Sequence, residues 1–201
     1  LSAKAHPGPI HEATRNSKPI LKKETDITGH MNTFPPKTTY VSMAKELGAI
    51  DATLIGPDEV KLDPRCYLKC MYGCPDWGKQ WTCPSAPGAL TMEQFRRMLE
   101  RYRYILLIRT ANKRDNQRIS YAIERQAYID GYYFAFSMSD CGLCASCAYP
   151  EPCKYPHKAR PAMQALGIDV FATARAQNYP IATLSEGEDE LQNWYSLVLI
   201  E

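Results

Sequence analysis

Histidine is nearly missing from the body of this chain. Of four histidines in 201 residues, His6, His11 and His30 fall in the first thirty, and only His157 lies beyond them. A metal site in the body must therefore rely on other donors, and one histidine forms no metal-binding helix pair. Long apolar runs are missing too. The longest, around Tyr104-Ile105-Leu106-Leu107-Ile108, is far shorter than the roughly 20 residues of a membrane-spanning helix. An excess of one charge is also lacking. Residues 1–30 hold five basic and three acidic side chains, which accounts for the whole formal charge of +2, and the rest balances at 19 against 19. Nucleic-acid binding leans on phosphate neutralisation, so a neutral body argues against it. There is no glycine-rich phosphate loop and no serine–histidine arrangement. With 45% hydrophobic and 23% charged residues, the composition is that of an ordinary globular protein. No signal-peptide pattern opens the chain, and the expectation is a soluble, cytoplasmic protein with no membrane or nucleic-acid partner.

Residues 1–30 differ from the rest of the chain. They are rich in Pro, Lys and Ser, show little hydrophobic periodicity, and end in Gly29-His30 ahead of Met31. They are expected to be a tag or flexible leader, with residues 31–201 forming a single metal-binding domain.

Hydrophobic periodicity divides the body into alternating elements. A helix is expected over 37–50, with Tyr40, Met43, Ala44 and Leu47 on one face and Gly48 as its stop. A strand comes next over 51–60, ending at Gly56-Pro57. Residues 88–103 predict a strongly amphipathic helix, capped by Thr91, with Phe95, Met98, Leu99 and Tyr102 as its apolar stripe. Then come a strand at 104–110, a helix over 112–131 closed by Gly131, a strand at 132–139, a short helix over 158–167, and a last strand at 193–201. Residues 168–177 fit helix or strand equally. This alternation predicts an α/β domain: a roughly four-stranded mixed sheet, flanking helices and two cysteine-rich cluster-binding loops. Parallel strands would place both loops at one edge of the sheet.

Against these scarcities stand eight cysteines, all in two groups of four. Cys66, Cys70, Cys74 and Cys83 are spaced C-x3-C-x3-C-x8-C; Cys141, Cys144, Cys147 and Cys153 are spaced C-x2-C-x2-C-x5-C. Disulfide scaffolds are short secreted chains with scattered cysteines, which this is not. Zinc suits four thiolates, but its usual sites pair two knuckles across a spacer. A C-x2-C-x2-C triple wraps a cluster better than one ion, and bacterial ferredoxins use it with a further cysteine beside proline. Here the fourth, in Glu151-Pro152-Cys153-Lys154, comes five residues on, so Cys153 either closes its own cluster or reaches to the other. In the first group, Asp63 as N-cap and Pro64 at the first helical position predict a helical turn. Cys66 and Cys70 then share a face, Gly73 and Pro75 swing Cys74 inward, and Cys83 closes the site from a loop. Tyr72, Trp77 and Trp81 are read either as core packing or as a shield against water. Lys69, Lys79, Lys154, Lys158 and Arg160 either offset the charge of two clusters or form a solvated surface.

Residues 47–108 and 131–174, with both cysteine motifs and "KARPAMQALGIDV", resemble a predicted metal-binding protein family known as a domain of unknown function, number 2284. The resemblance covers roughly residues 40–200. It implies iron–sulfur binding through the eight motif cysteines and assigns no catalytic acid, base or substrate. Two [4Fe–4S] clusters are the expected cofactors, with zinc as the alternative. The expected function is electron transfer to a redox protein partner. The alternatives are an enzyme acting at a cluster with an open iron or a neighbouring cofactor, and a zinc-stabilised interaction module.

Overall fold

Two apolar strands lie at the centre of the sheet, and both of their faces are covered. The computed structural model describes residues 35–183 and 192–201; the expected leader at 1–30 lies outside them. In chain order the elements are helix α1 (Thr38–Glu46), strand β1 (Asp51–Ile55), α2 (Arg65–Gly73), α3 (Met92–Leu99), β2 (Ile105–Thr110), α4 (Lys113–Ile129), β3 (Phe136–Met138), α5 (Val170–Ala176) and β4 (Trp194–Leu199). The strands form one sheet in the order β1-β2-β4-β3.

In β2 and β4 successive side chains point to opposite faces. Leu106, Ile108 and Val198 pack with Tyr40, Ala44, Ile119 and Ile123 of α1 and α4. Ile105, Leu107, Leu197 and Leu199 pack with Phe95 and Leu99 of α3, and with Met163, Ile168 and Ala174. The domain is thus helices, sheet, helices. Each fully buried Leu or Ile contributes about 1.5–3 kcal/mol, and with both faces covered β2 carries four consecutive buried apolar residues, Ile105 to Ile108.

Most helix ends follow from capping residues. Thr91 Oγ1 accepts from the Gln94 N–H (3.2 Å) while Gln94 Oε1 accepts from the Thr91 N–H (2.9 Å), a reciprocal capping box. Asn112 caps α4 and Asp169 caps α5 through the Asp115 and Ala172 N–H groups. Asp169 thereby settles residues 168–177 as helix. Gly48, Gly131 and Gly167 adopt positive φ at the expected stops.

Three expectations are corrected. The sheet is not mixed: every pairing is antiparallel. β3 is three residues long, because a turn closed by the Ala135 N–H to Tyr132 carbonyl bond (2.9 Å) occupies the start of the predicted strand. The helix over 158–167 shrinks to a 3-10 turn, Met163–Leu166; Pro161 lacks an N–H and disfavours helical backbone at Arg160.

Antiparallel pairing also changes how the cysteine stretches meet. Ile55 and Phe136 align at one end of the sheet, through Ile105 and Leu199. β1 therefore runs out at the end where β3 begins, and the two stretches leave from opposite ends. Residues 56–64 carry the chain back. Leu62 bridges Ile168, the Asp63 N–H donates to the Gly167 carbonyl (2.9 Å), and the Asp169 N–H donates to the Lys61 carbonyl (2.7 Å). This return places α2 beside the residues that come after β3. No helix among the described residues is long and apolar enough to cross a membrane.

Candidate metal centre

The first quartet is built on α2. Asp63 Oδ1 accepts from the Arg65 N–H at 2.8 Å, and Pro64 already has helical angles, φ −62° and ψ −19°. Proline belongs there because its missing N–H has no partner in a first turn. Cys66 and Cys70 then lie one turn apart on one face. α2 ends at Gly73, and Cys74 is extended, φ −98° and ψ 122°. Cys66, Cys70 and Cys74 line a cavity of about 650 Å³ with Lys69, Asp140 and Asp169. Cys83 is held separately: its sulfur accepts from the Ser85 hydroxyl (3.1 Å) and the Gly78 N–H (3.5 Å). It is still close enough to act on Cys70. Burial, then the sulfurs of Cys74, Cys83 and Cys66 and the Asp140 carboxylate, push the Cys70 thiol up to about 11. Burial, with Asp169 and Asp63, raises Cys66 as well. A metal entering this group would displace protons from it.

The second quartet sits on irregular backbone after β3. Cys141, Cys144, Cys147 and Cys153 all line one cavity of about 310 Å³. The structure thus brings Cys153 to the other three of its group. Burial raises the Cys141 thiol; the backbone N–H groups of Leu143 and Arg160 oppose that rise, and Cys153 and Cys147 add to it. N–H donors to sulfur are among the levers that set a cluster's potential.

Irregular backbone holds one shape only if it is tied down. The Gly142 N–H donates to Gln117 Oε1 (3.2 Å). A side chain at Gly142 would reach within 3.4 Å of Lys113. The Tyr121 hydroxyl donates to the His157 carbonyl (3.2 Å). Arg160 closes the loop through an ion pair with Glu124 of α4.

Trp81 joins the two stretches. Its indole Nε1–H donates to the Glu151 carbonyl at 2.7 Å, and its ring meets Tyr149 edge-on at 5.1 Å between centroids. Trp81 therefore contacts the second stretch instead of shielding the first quartet alone. Tyr72 is 81% exposed and shields nothing. Of the cations singled out in the sequence, Lys79 and Lys154 line the second cavity and Lys69 the first, whereas Arg160 is taken up by Glu124. Lys113, which also lines the second cavity, and the ties from Gln117, Tyr121 and Glu124 lie on α4, where helical periodicity gives no sign of a role at a distant loop. His157 contributes its carbonyl to these ties.

The donor set fits soft, thiolate-bound metals. All eight cysteines are free thiols. Among the described residues, no three of His, Cys, Asp or Glu converge as they would around a single ion. Four-thiolate sets of this kind serve both structural zinc and iron–sulfur clusters.

Neither a curated protein nor a solved structure matches the chain. Residues 53–200 match the family profile described as "Predicted metal-binding protein (DUF2284)", and the chain belongs to that family.

Proposed function

We propose that each quartet holds a [4Fe–4S] cluster and that the protein passes electrons between them and a redox protein partner. The observation that carries this is the second quartet: four cysteines around one cavity of about 310 Å³. Bound there, a four-iron cluster would supply one-electron transfer. Cys66, Cys70, Cys74 and Cys83 would hold the first cluster, and Cys141, Cys144, Cys147 and Cys153 the second.

The remaining residues would serve the same end. The Leu143 and Arg160 backbone N–H groups favour the charged form of Cys141. Lys79, Lys113 and Lys154 line the cavity of the second quartet and would offset the net −2 of four thiolates around a [4Fe–4S]²⁺ core. Trp81 holds the two stretches against each other. Eight free thiols suit a reducing compartment, which is the support for a cytoplasmic location.

One observation favours a second reading, an enzyme acting at a cluster: the cavity of about 650 Å³ beside Cys66, Cys70 and Cys74 has room for a small molecule.

Anaerobic purification with iron, sulfide and zinc quantitation tests the proposal. A brown protein with about eight iron and eight sulfide per chain is expected. A colourless protein with stoichiometric zinc would sink it and leave a zinc-stabilised module.

A further inference from the structure

A third cavity, also of about 650 Å³, opens between the two cysteine stretches. Cys83 of the first quartet and Cys153 of the second both line it. Its large surfaces are apolar and aromatic, from Trp81, Leu90, Phe95, Tyr102, Phe134 and Phe136. Among the described residues, no Asp, Glu, Lys, Arg or His lines it, although lysines and aspartates line both cavities beside the quartets. Tyr102 commits its hydroxyl to the Phe134 carbonyl at 2.8 Å; Thr82 and Tyr133 bring further hydroxyls to the wall.

These features select a ligand. The volume lies in the range of ordinary small-molecule sites, which are apolar with few polar groups. A charged group here would lose part of its hydration and meet no Asp, Glu, Lys, Arg or His side chain among the described residues, which disfavours it. Several aromatic rings favour a flat partner that offers a face or an edge. A carbonyl on that ring is a polar handle that the Thr82 and Tyr133 hydroxyls can meet as donors. We infer that this cavity binds a neutral, planar aromatic ring bearing carbonyl groups, placed where a cysteine of each quartet borders it. The site is defined by its side chains and does not depend on which metal the quartets hold.

Lumichrome, a neutral three-ring compound of this class that does not alkylate thiols, is a suitable probe. Its fluorescence anisotropy is read against the full chain isolated anaerobically. A saturable rise with one site per chain is expected. Neutral 2-(hydroxymethyl)anthraquinone should displace it, and anthraquinone-2-sulfonate should do so at least about tenfold less well, because its charge has no partner. Two lining positions that are exposed serve as variants: Ala89→Trp, which fills the space, and Phe134→Ser, which removes a rim ring that is 67% exposed. Each should weaken lumichrome at least about tenfold, with metal content and circular dichroism unchanged.

The inference is overturned by absence of saturable binding to the unsubstituted chain, or by binding undiminished in both variants. It is also overturned if that chain binds no lumichrome while Phe134→Ser converts a dimer to a monomer, which would assign the surface to a second copy. Lumichrome bound by a zinc-containing protein would remove the iron–sulfur proposal and leave this one standing. Full iron and sulfide with no lumichrome bound would do the reverse.

Discussion

Arg160 and Glu124 form an ion pair almost wholly withdrawn from solvent, with side chains 11% and 10% exposed. Arg160 Nε donates to Glu124 Oε2 at 2.7 Å. The same oxygen accepts the Ser137 N–H (2.8 Å) and the Ser137 hydroxyl (2.7 Å). The guanidinium lies 4.9 Å from the Phe136 ring centre and 5.2 Å from that of Tyr121. One carboxylate thus ties together α4, β3 and the end of the second cysteine loop, whose Arg160 N–H faces Cys141.

Removing one member of a buried pair leaves the other charge uncompensated, at a cost of about 3–5 kcal/mol. Glu124→Ala is expected to lower the unfolding free energy by that amount and to loosen the second loop. The double variant Glu124→Leu/Arg160→Met, which buries no charge, should recover much of the loss. Chemical denaturation of the three proteins checks this; a double variant as unstable as Glu124→Ala would remove the ion pair as the cause.

Cys144 separates the two quartets experimentally. It lines only the second cavity, so Cys144→Ala should empty that site and leave the first loaded. Iron and sulfide per chain should fall by about half, and heat resistance should fall with them, because metal binding and folding are linked. Unchanged iron would take Cys144 out of the ligand set.

Legibility followed the range of the forces involved. Thr91 and the Phe95/Leu99 stripe act within one or two turns, so the sequence displays α3; residues 168–177 read equally as helix or strand, and the Asp169 cap on Ala172 decides them only in the folded chain. The apolar run in 104–110 announces β2, but it reads the same beside parallel and antiparallel neighbours, so it does not separate a mixed sheet from the antiparallel one observed. The return of residues 56–64 depends on contacts such as Leu62 with Ile168, 106 positions apart, and no local pattern records it. The cysteine quartets were visible as spacing. The ties that shape the second loop, from Gln117, Tyr121 and Glu124, were not, because each is an ordinary helix residue until the fold brings a partner to it.

Trp81 is the link that bears most on any joint action of the two quartets. Trp81→Phe keeps much of the edge contact with Tyr149 and loses the hydrogen bond to Glu151, a change of about 1 kcal/mol. Trp81→Ala loses both. Iron content should hold in Trp81→Phe and fall in Trp81→Ala, with faster proteolysis in the 74–90 stretch. Equal protease resistance in all three proteins would show that the stretches are joined by something else.

Glu59 gives a pH-dependent test of the segment that returns α2 to the site. The Gly56 N–H (2.7 Å) and then Gln177 Nε2 (2.8 Å) donate to its carboxylate. These bonds hold it below its ordinary value of 4.5 against a smaller opposing effect of burial. A carboxyl depressed in the folded state adds stability that is fully present above its unfolded value and is lost as pH falls through the folded one. Glu59 is exposed, so solvent screening limits the effect to on the order of 0.5 kcal/mol. Glu59→Gln should therefore be slightly less stable than the unsubstituted chain at pH 7, with the gap closing below pH 4.5. Urea melts of both proteins across that range decide it. A gap that is constant with pH would mean that the ionised form of Glu59 does not stabilise the return.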